Sequence, residues 1–223
     1  MRYLFFFLLL VTACAPSLSK ERLNVTPITG PRDFYPSQAG LKWDYLEPGE
    51  DVDAPRFTKE VMGKTRVDGK ILTVSRFYGR GYNATLFEDY TDAGVFLYRE
   101  DRGENVVIYT PGYQVLPPPS DLAVGEVWGG TTTATIYSPR DATTETTTTY
   151  RYTVVDRRSL VLGSRFGGKP FDVYVISLET FEDVDGQTQR SNSELFYVPY
   201  VGNIKTPQAL YLVDTNFNLP VPQ

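Results

Sequence analysis

Glu88, Asp89 and Asp92 bring three carboxyl groups into a five-residue stretch. Paired carboxyls of this kind can hydrolyse a glycosidic bond when held about 5 to 10 Å apart, with one pKa raised by burial. The sequence puts these acids around a turn and supplies no cleft, so solvated loop acids are the plainer reading. A second acidic pattern is Asp183-Val184-Asp185-Gly186, with Glu194 at the twelfth position counted from Asp183. It begins like a calcium loop but lacks the intervening ligands and glycine spacing of a full loop, and no helices flank it. Asp185-Gly186 fits a hairpin turn better. Gly79-Arg80-Gly81 has no helix after it and reads as a bulge or loop, not a phosphate cradle.

The chain contains no histidine, and Cys14 is its one cysteine. Imidazole metal sites and Ser-His-Asp or Cys-His nucleophiles are therefore excluded. Asp, Glu, Lys, Tyr and Ser remain as catalytic vocabulary, and no motif organises them. The expectation is a protein that is not an enzyme and uses no metal or cofactor. Lys and Arg number 22 against 27 Asp and Glu. Phosphate backbones are neutralised by basic residues, so nucleic acid is not an expected partner. Aromatic residues make up 14% of the chain, a large supply of apolar area for packing. Trp43, Trp128, Tyr45, Tyr78, Tyr82 and Tyr98 are the candidates for lining a ligand cavity, although strand aromatics are more often plain core.

The elements that must position these residues are strands. From Phe34 onward the pattern is all-β, and no window sustains a helical period over three turns. Val67-Asp68-Gly69-Lys70 predicts a type I′ hairpin leading into a strand over Ile71–Tyr78. Leu86–Tyr90 and Val95–Tyr98 flank another turn. Val106–Tyr109 reads as a strand ending at Pro111-Gly112. Asp172–Phe181 alternates, and Asp185-Gly186 turns it into Ser193–Val198. Leu210–Val213 is the last strand. Residues 156–163 fit a helical turn. Residues 131–153 are rich in threonine and predict an exposed hairpin, with an ice- or glycan-binding ladder as the functional alternative.

Pro117-Pro118-Pro119 cannot sit within a paired strand. It divides residues 33–223 into candidate halves, 33–116 and 117–223. Each half opens with Gly three residues before Trp, at Gly40/Trp43 and Gly125/Trp128. This echo predicts two related β units, each with its tryptophan in the core. Residues 14–32 lack periodicity and predict a flexible tether. Asn24-Val25-Thr26 matches a glycosylation acceptor and is read as chance.

The N-terminus has signal-peptide form: Met1-Arg2, an apolar run from Leu4 to Val11, then Thr12 and Ala13 before Cys14. Val11-Thr12-Ala13-Cys14 resembles a bacterial lipobox. That resemblance implies removal of residues 1–13, acylation of Cys14 and attachment to a membrane. No polybasic patch supplies a second membrane signal, so the acyl chains would have to hold the protein. Ala15, in place of the aspartate that favours inner-membrane retention, leans toward the outer membrane where the cell has one.

Three stretches resemble a group of bacterial envelope lipoproteins. Residues 34–45 match its Pro-x3-Gly-x2-Trp-x-Tyr opening, with Pro36, Gly40, Trp43 and Tyr45. Phe171–Ile176 is similar to an internal strand of the group, although the preceding segment differs. Leu195–Lys205 resembles its closing aromatic strand and Pro-x-Val-Gly turn. The resemblance implies a curved antiparallel sheet or open half-barrel, and transfers no catalytic residue. The function expected is a membrane-anchored binding or assembly module of the cell envelope. Alternatives are a carrier of lipid or another hydrophobic ligand, a carboxylate-dependent glycan hydrolase, and a structural protein packed against envelope partners.

Overall fold

The computed structural model describes residues 34–163, 166–168, 170–184 and 187–219. The lipobox, Cys14, the tether, Asn24 and the Asp185-Gly186 turn lie outside those residues. Twelve strands are present: β1 (Lys42–Leu46), β2 (Phe57–Val67), β3 (Lys70–Gly79), β4 (Tyr82–Thr91), β5 (Gly94–Arg102), β6 (Asn105–Leu116), β7 (Val127–Tyr137), β8 (Thr144–Val161), β9 (Pro170–Val184), β10 (Gln187–Val198), β11 (Gly202–Lys205) and β12 (Tyr211–Thr215). Each strand pairs antiparallel with its neighbours in the chain, and β1 closes on β12. The expected curved antiparallel sheet is thus a closed barrel, not an open half. Closure gives every strand a neighbour on both sides, although β6 pairs with β7 only from Val106 to Thr110.

The turn chemistry follows the sequence. Asp68 and Gly69 have φ of 48° and 82°, the pair of positive values that a type I′ turn requires. Arg80 and Gly81 repeat the arrangement between β3 and β4, with φ of 51° and 82°. Strands β9 and β10 pair up to Val184 and Gln187, on either side of Asp185-Gly186.

Two local expectations are corrected. Residues 156–161 are not a helical turn but continue β8, paired with β9 from Asp156↔Val175 to Val161↔Pro170. Strand β6 does not stop at Pro111-Gly112. It reaches Leu116 because the β5–β6 register shifts there, between Leu97↔Tyr113 and Arg99↔Ile108, so that Pro111 need not donate to the ladder.

In this meander the odd-to-even connections lie at one end of the barrel and the even-to-odd connections at the other. The chain enters at the second end. There Phe34 accepts hydrogen bonds at its carbonyl from Tyr200 N at 3.1 Å and Tyr197 Oη at 2.6 Å. Tyr35 Oη donates to the Pro117 carbonyl at 2.5 Å. Around these tyrosines pack Leu122, Trp128, Tyr152, Val154, Ile176 and Leu195. This cluster plugs the second end with apolar side chains, where hydration is lost over a large area.

Trp43 and Trp128 are 3% and 9% exposed. Each is the second residue of its strand, and their surroundings match. Gly40 N donates to Val61 O at 2.7 Å, and Gly125 N donates to Val154 O at 2.8 Å. Val61 N returns a bond to Leu41 O, as Val154 N does to Glu126 O. Trp43 pairs with Lys59 and Trp128 with Tyr152, each two residues before the bonded valine. Gly40 and Gly125 have φ of 87° and 92°, a region that glycine enters without strain.

Candidate functional site

Above the plug the barrel is hollow. A cavity of about 910 Å3 runs along its interior and is lined by inward side chains from nearly every strand. The period of two in a strand sends alternate residues inward. From β4 these are Ala84, Leu86, Glu88 and Tyr90, and from β8 Thr146, Thr148 and Tyr152. The deep part is aromatic and aliphatic, with Tyr35, Tyr152, Val95, Leu195 and Tyr197. Tyr113 stacks on Tyr150 with ring centroids 4.0 Å apart, and Trp128 stacks on Tyr152 at 5.1 Å. Toward the first end the lining becomes polar, with Glu100, Arg102, Thr146, Thr148 and Glu182. Tyr82 is exposed there and Thr146 and Thr148 are half-buried, whereas Tyr35, Val95 and Tyr197 at the other end are buried. The cavity therefore has a wet mouth and a dry floor.

Two buried carboxylates face inward on adjacent strands. Glu88 is 6% exposed and Glu100 is 4% exposed. Glu88 accepts from Ser75 Oγ at 3.0 Å and Tyr90 Oη at 3.2 Å, with Lys59 Nζ 3.6 Å away. Glu100 is gripped by the Arg102 guanidinium, one contact being 2.7 Å, and accepts from Tyr82 and Tyr109 at 3.4 Å each. Both are satisfied by fixed donors, as buried carboxylates must be. Burial raises the hydroxyl pKa of the interior tyrosines. Tyr109 and Tyr113 are pushed up to about 12, and Tyr90, Tyr152 and Tyr197 lie well above their ordinary value.

The acidic trio is not brought together. Glu88 points into the barrel, Asp89 follows it on β4 and so faces outward, and Asp92 lies exposed in the β4–β5 turn. The inward acid nearest Glu88 along the sheet is instead Glu100. Among the cavity candidates Trp43, Tyr45 and Tyr82 line the hollow. Trp128 sits in the plug beneath it. Tyr78 and Tyr98 lie on the outer wall, where Tyr78 bonds Glu60 and Lys70 covers the Tyr98 ring at 3.7 Å. The threonine hairpin divides by face. Thr131 and Thr133 meet Thr149 and Thr147 on the exposed outer side at 3.0 and 3.4 Å, while Thr132, Thr146 and Thr148 line the interior. Among the described residues no group of His, Cys, Asp and Glu is placed to hold a metal ion.

The outer wall carries charged and hydroxyl side chains: Lys42 on Glu60, Arg56 on Asp44, and Arg151 and Arg190 on Glu179. A barrel that spans lipid has an apolar outer band and a polar interior. Here these ion pairs stand on the outer wall, and the floor of the interior is apolar. No helix among the described residues is long and apolar enough to cross a membrane.

No family model and no curated protein matches the chain. Among solved structures it is similar to the crystal structure of the hypothetical lipoprotein YmcC from Escherichia coli (K12), at 10% identity and a TM-score of 0.40, over 75% of this chain and 77% of that chain.

Proposed function

We propose that the protein is an envelope lipoprotein, held to the membrane through Cys14, whose barrel is a non-catalytic binding module for a hydrophobic ligand. The observation that carries this reading is the cavity of about 910 Å3 with an apolar floor and an accessible mouth. Its size falls in or near the range of about 300 to 1,000 Å3 typical of small-molecule sites. A barrel built only for rigidity would fill its interior with its own side chains. The carboxylates that a hydrolase would need are already bonded by Arg102, Lys59, Ser75 and three tyrosines, which favours binding over catalysis. The outer membrane is the proposed location where the cell has one, on the strength of Ala15.

Native mass spectrometry of protein extracted gently from its own membrane tests the reading. The expected spectrum shows a small apolar molecule bound one to one and released on denaturation. An empty barrel that also takes up no apolar probe would overturn it.

A further inference from the structure

Four carboxylates line the cavity, Glu47, Glu88, Glu100 and Glu182, against two cations, Lys59 and Arg102. The imbalance lies at the mouth. Lys59 answers Glu88 deeper in the barrel, Arg102 is committed to Glu100, and Glu47 lies 3.9 Å from Arg80 at the rim, which leaves Glu182. Glu182 accepts a hydrogen bond from Thr148 at 3.3 Å, and no lysine or arginine among the described residues pairs with it. An ionised carboxylate only accepts hydrogen bonds, and in a partly desolvated mouth it repels another anion more strongly than it would in water. A donor placed against it forms a charge-assisted bond.

We infer, on the reading that the cavity takes an apolar ligand, that this ligand is a single-tailed amphiphile whose head donates hydrogen bonds and carries no negative charge. The head sits at the mouth beside Glu182 and Thr148. The tail runs down toward Tyr152 and Leu195, where the lining is apolar. The volume of about 910 Å3 suits one chain with a small head.

The test uses residues 15–223, the chain after the predicted cleavage site without Cys14 and its acyl groups. It is titrated by calorimetry with three probes sharing one twelve-carbon tail: dodecylammonium, monolaurin and laurate, each below its aggregation threshold. Dodecylammonium and monolaurin are expected to bind at least about tenfold more tightly than laurate, the ratio worth one charge-assisted hydrogen bond. Glu182→Gln should weaken dodecylammonium about tenfold and strengthen laurate, with an unchanged melting temperature. Laurate binding as tightly as the other two, or a Glu182→Gln barrel that keeps the wild-type order, overturns the head assignment and leaves the carrier reading standing. Binding of none of the three overturns both.

Discussion

Trp43 and Trp128 differ in one atom's surroundings. Trp43 Nε1 donates to the Val201 carbonyl at 2.6 Å, whereas Trp128 Nε1 is buried without a partner. Trp43→Phe strands a carbonyl beside the fully buried Val201 and loses a hydrogen bond, so it should cost about 1 to 3 kcal/mol beyond the lost contact area. Trp128→Phe removes a group that has no partner to lose, and should cost less. Truncation of either to Ala should cost about 3 to 5 kcal/mol. Urea unfolding of the four variants checks the order, and equal costs for the two Phe variants would contradict it. The interior tyrosines set an alkaline limit. Their folded pKa values are raised by burial, with Tyr109 and Tyr113 at about 12, while in the unfolded chain they titrate near 10. The unfolded state thus loses protons first. The stabilisation is complete below about pH 10 and is lost as pH rises toward 12. Absorbance at 295 nm should show tyrosinate appearing together with loss of near-ultraviolet circular dichroism. Independent early ionisation of these tyrosines in a folded barrel would contradict the burial. The tryptophans were legible in the sequence through their shared glycine spacing. Glu100 and Arg102 were not, because the β-bulge between Leu97 and Arg99 changes the parity of β5. Leu97 and Glu100 both line the cavity although they are an odd number of residues apart, which a period of two cannot anticipate.

Strands β7 and β8 cross especially closely at Gly129. A Cβ there would stand 2.2 Å from the Tyr150 carbonyl oxygen, a backbone atom that cannot swing away. Its neighbour Gly130 faces the interior, where a Cβ would meet only the Tyr150 hydroxyl at 3.5 Å. Gly129→Ala should therefore destabilise by about 1 to 3 kcal/mol. Gly130→Ala should be neutral, or stabilising by up to about 1 kcal/mol through the unfolded chain. Thermal melts of the two variants separate these outcomes, and a reversed order would show that the register of β7 on β8 is wrong. The hairpin itself was readable from its threonines, since β-branching favours strands. Its inward face was not, because a threonine suits solvent and a polar cavity wall equally well. The helical turn expected at residues 156–163 failed for a related reason. Asp156-Arg157-Arg158 looks like a solvated turn, but on β8 these side chains are exposed and form ion pairs, Arg157 with Asp172 and Arg158 with Asp156.

At the scale of the whole molecule, strand patterning and turn spacing were enough to predict an all-β domain, and its curved antiparallel sheet is what the resemblance to envelope lipoproteins implies. Closure was not legible. It depends on β1 meeting both β2 and β12, and the second contact joins residues at opposite ends of the domain through shear and tilt that no local pattern encodes. The hollow was also out of reach, because aromatic content gives the apolar area but not whether rings fill the centre. Phe34 enters at the plugged end. A chain anchored at Cys14 therefore joins the barrel from the end opposite its mouth. Cys14→Ala should abolish metabolic acyl labelling and move the protein from the membrane to the soluble fraction, and a variant that stays membrane-bound would remove the anchor.

The most direct test of a ligand-binding barrel is titration of residues 15–223 with N-phenyl-1-naphthylamine, in wild type and in Ala134→Trp. Ala134 lines the cavity beside Tyr109 and Thr146, and a tryptophan there fills space without touching the plug. The account predicts saturable fluorescence enhancement with one site in wild type, and at least about tenfold weaker binding in the variant at an unchanged melting temperature. No enhancement in wild type, or equal enhancement in the two proteins, would contradict it.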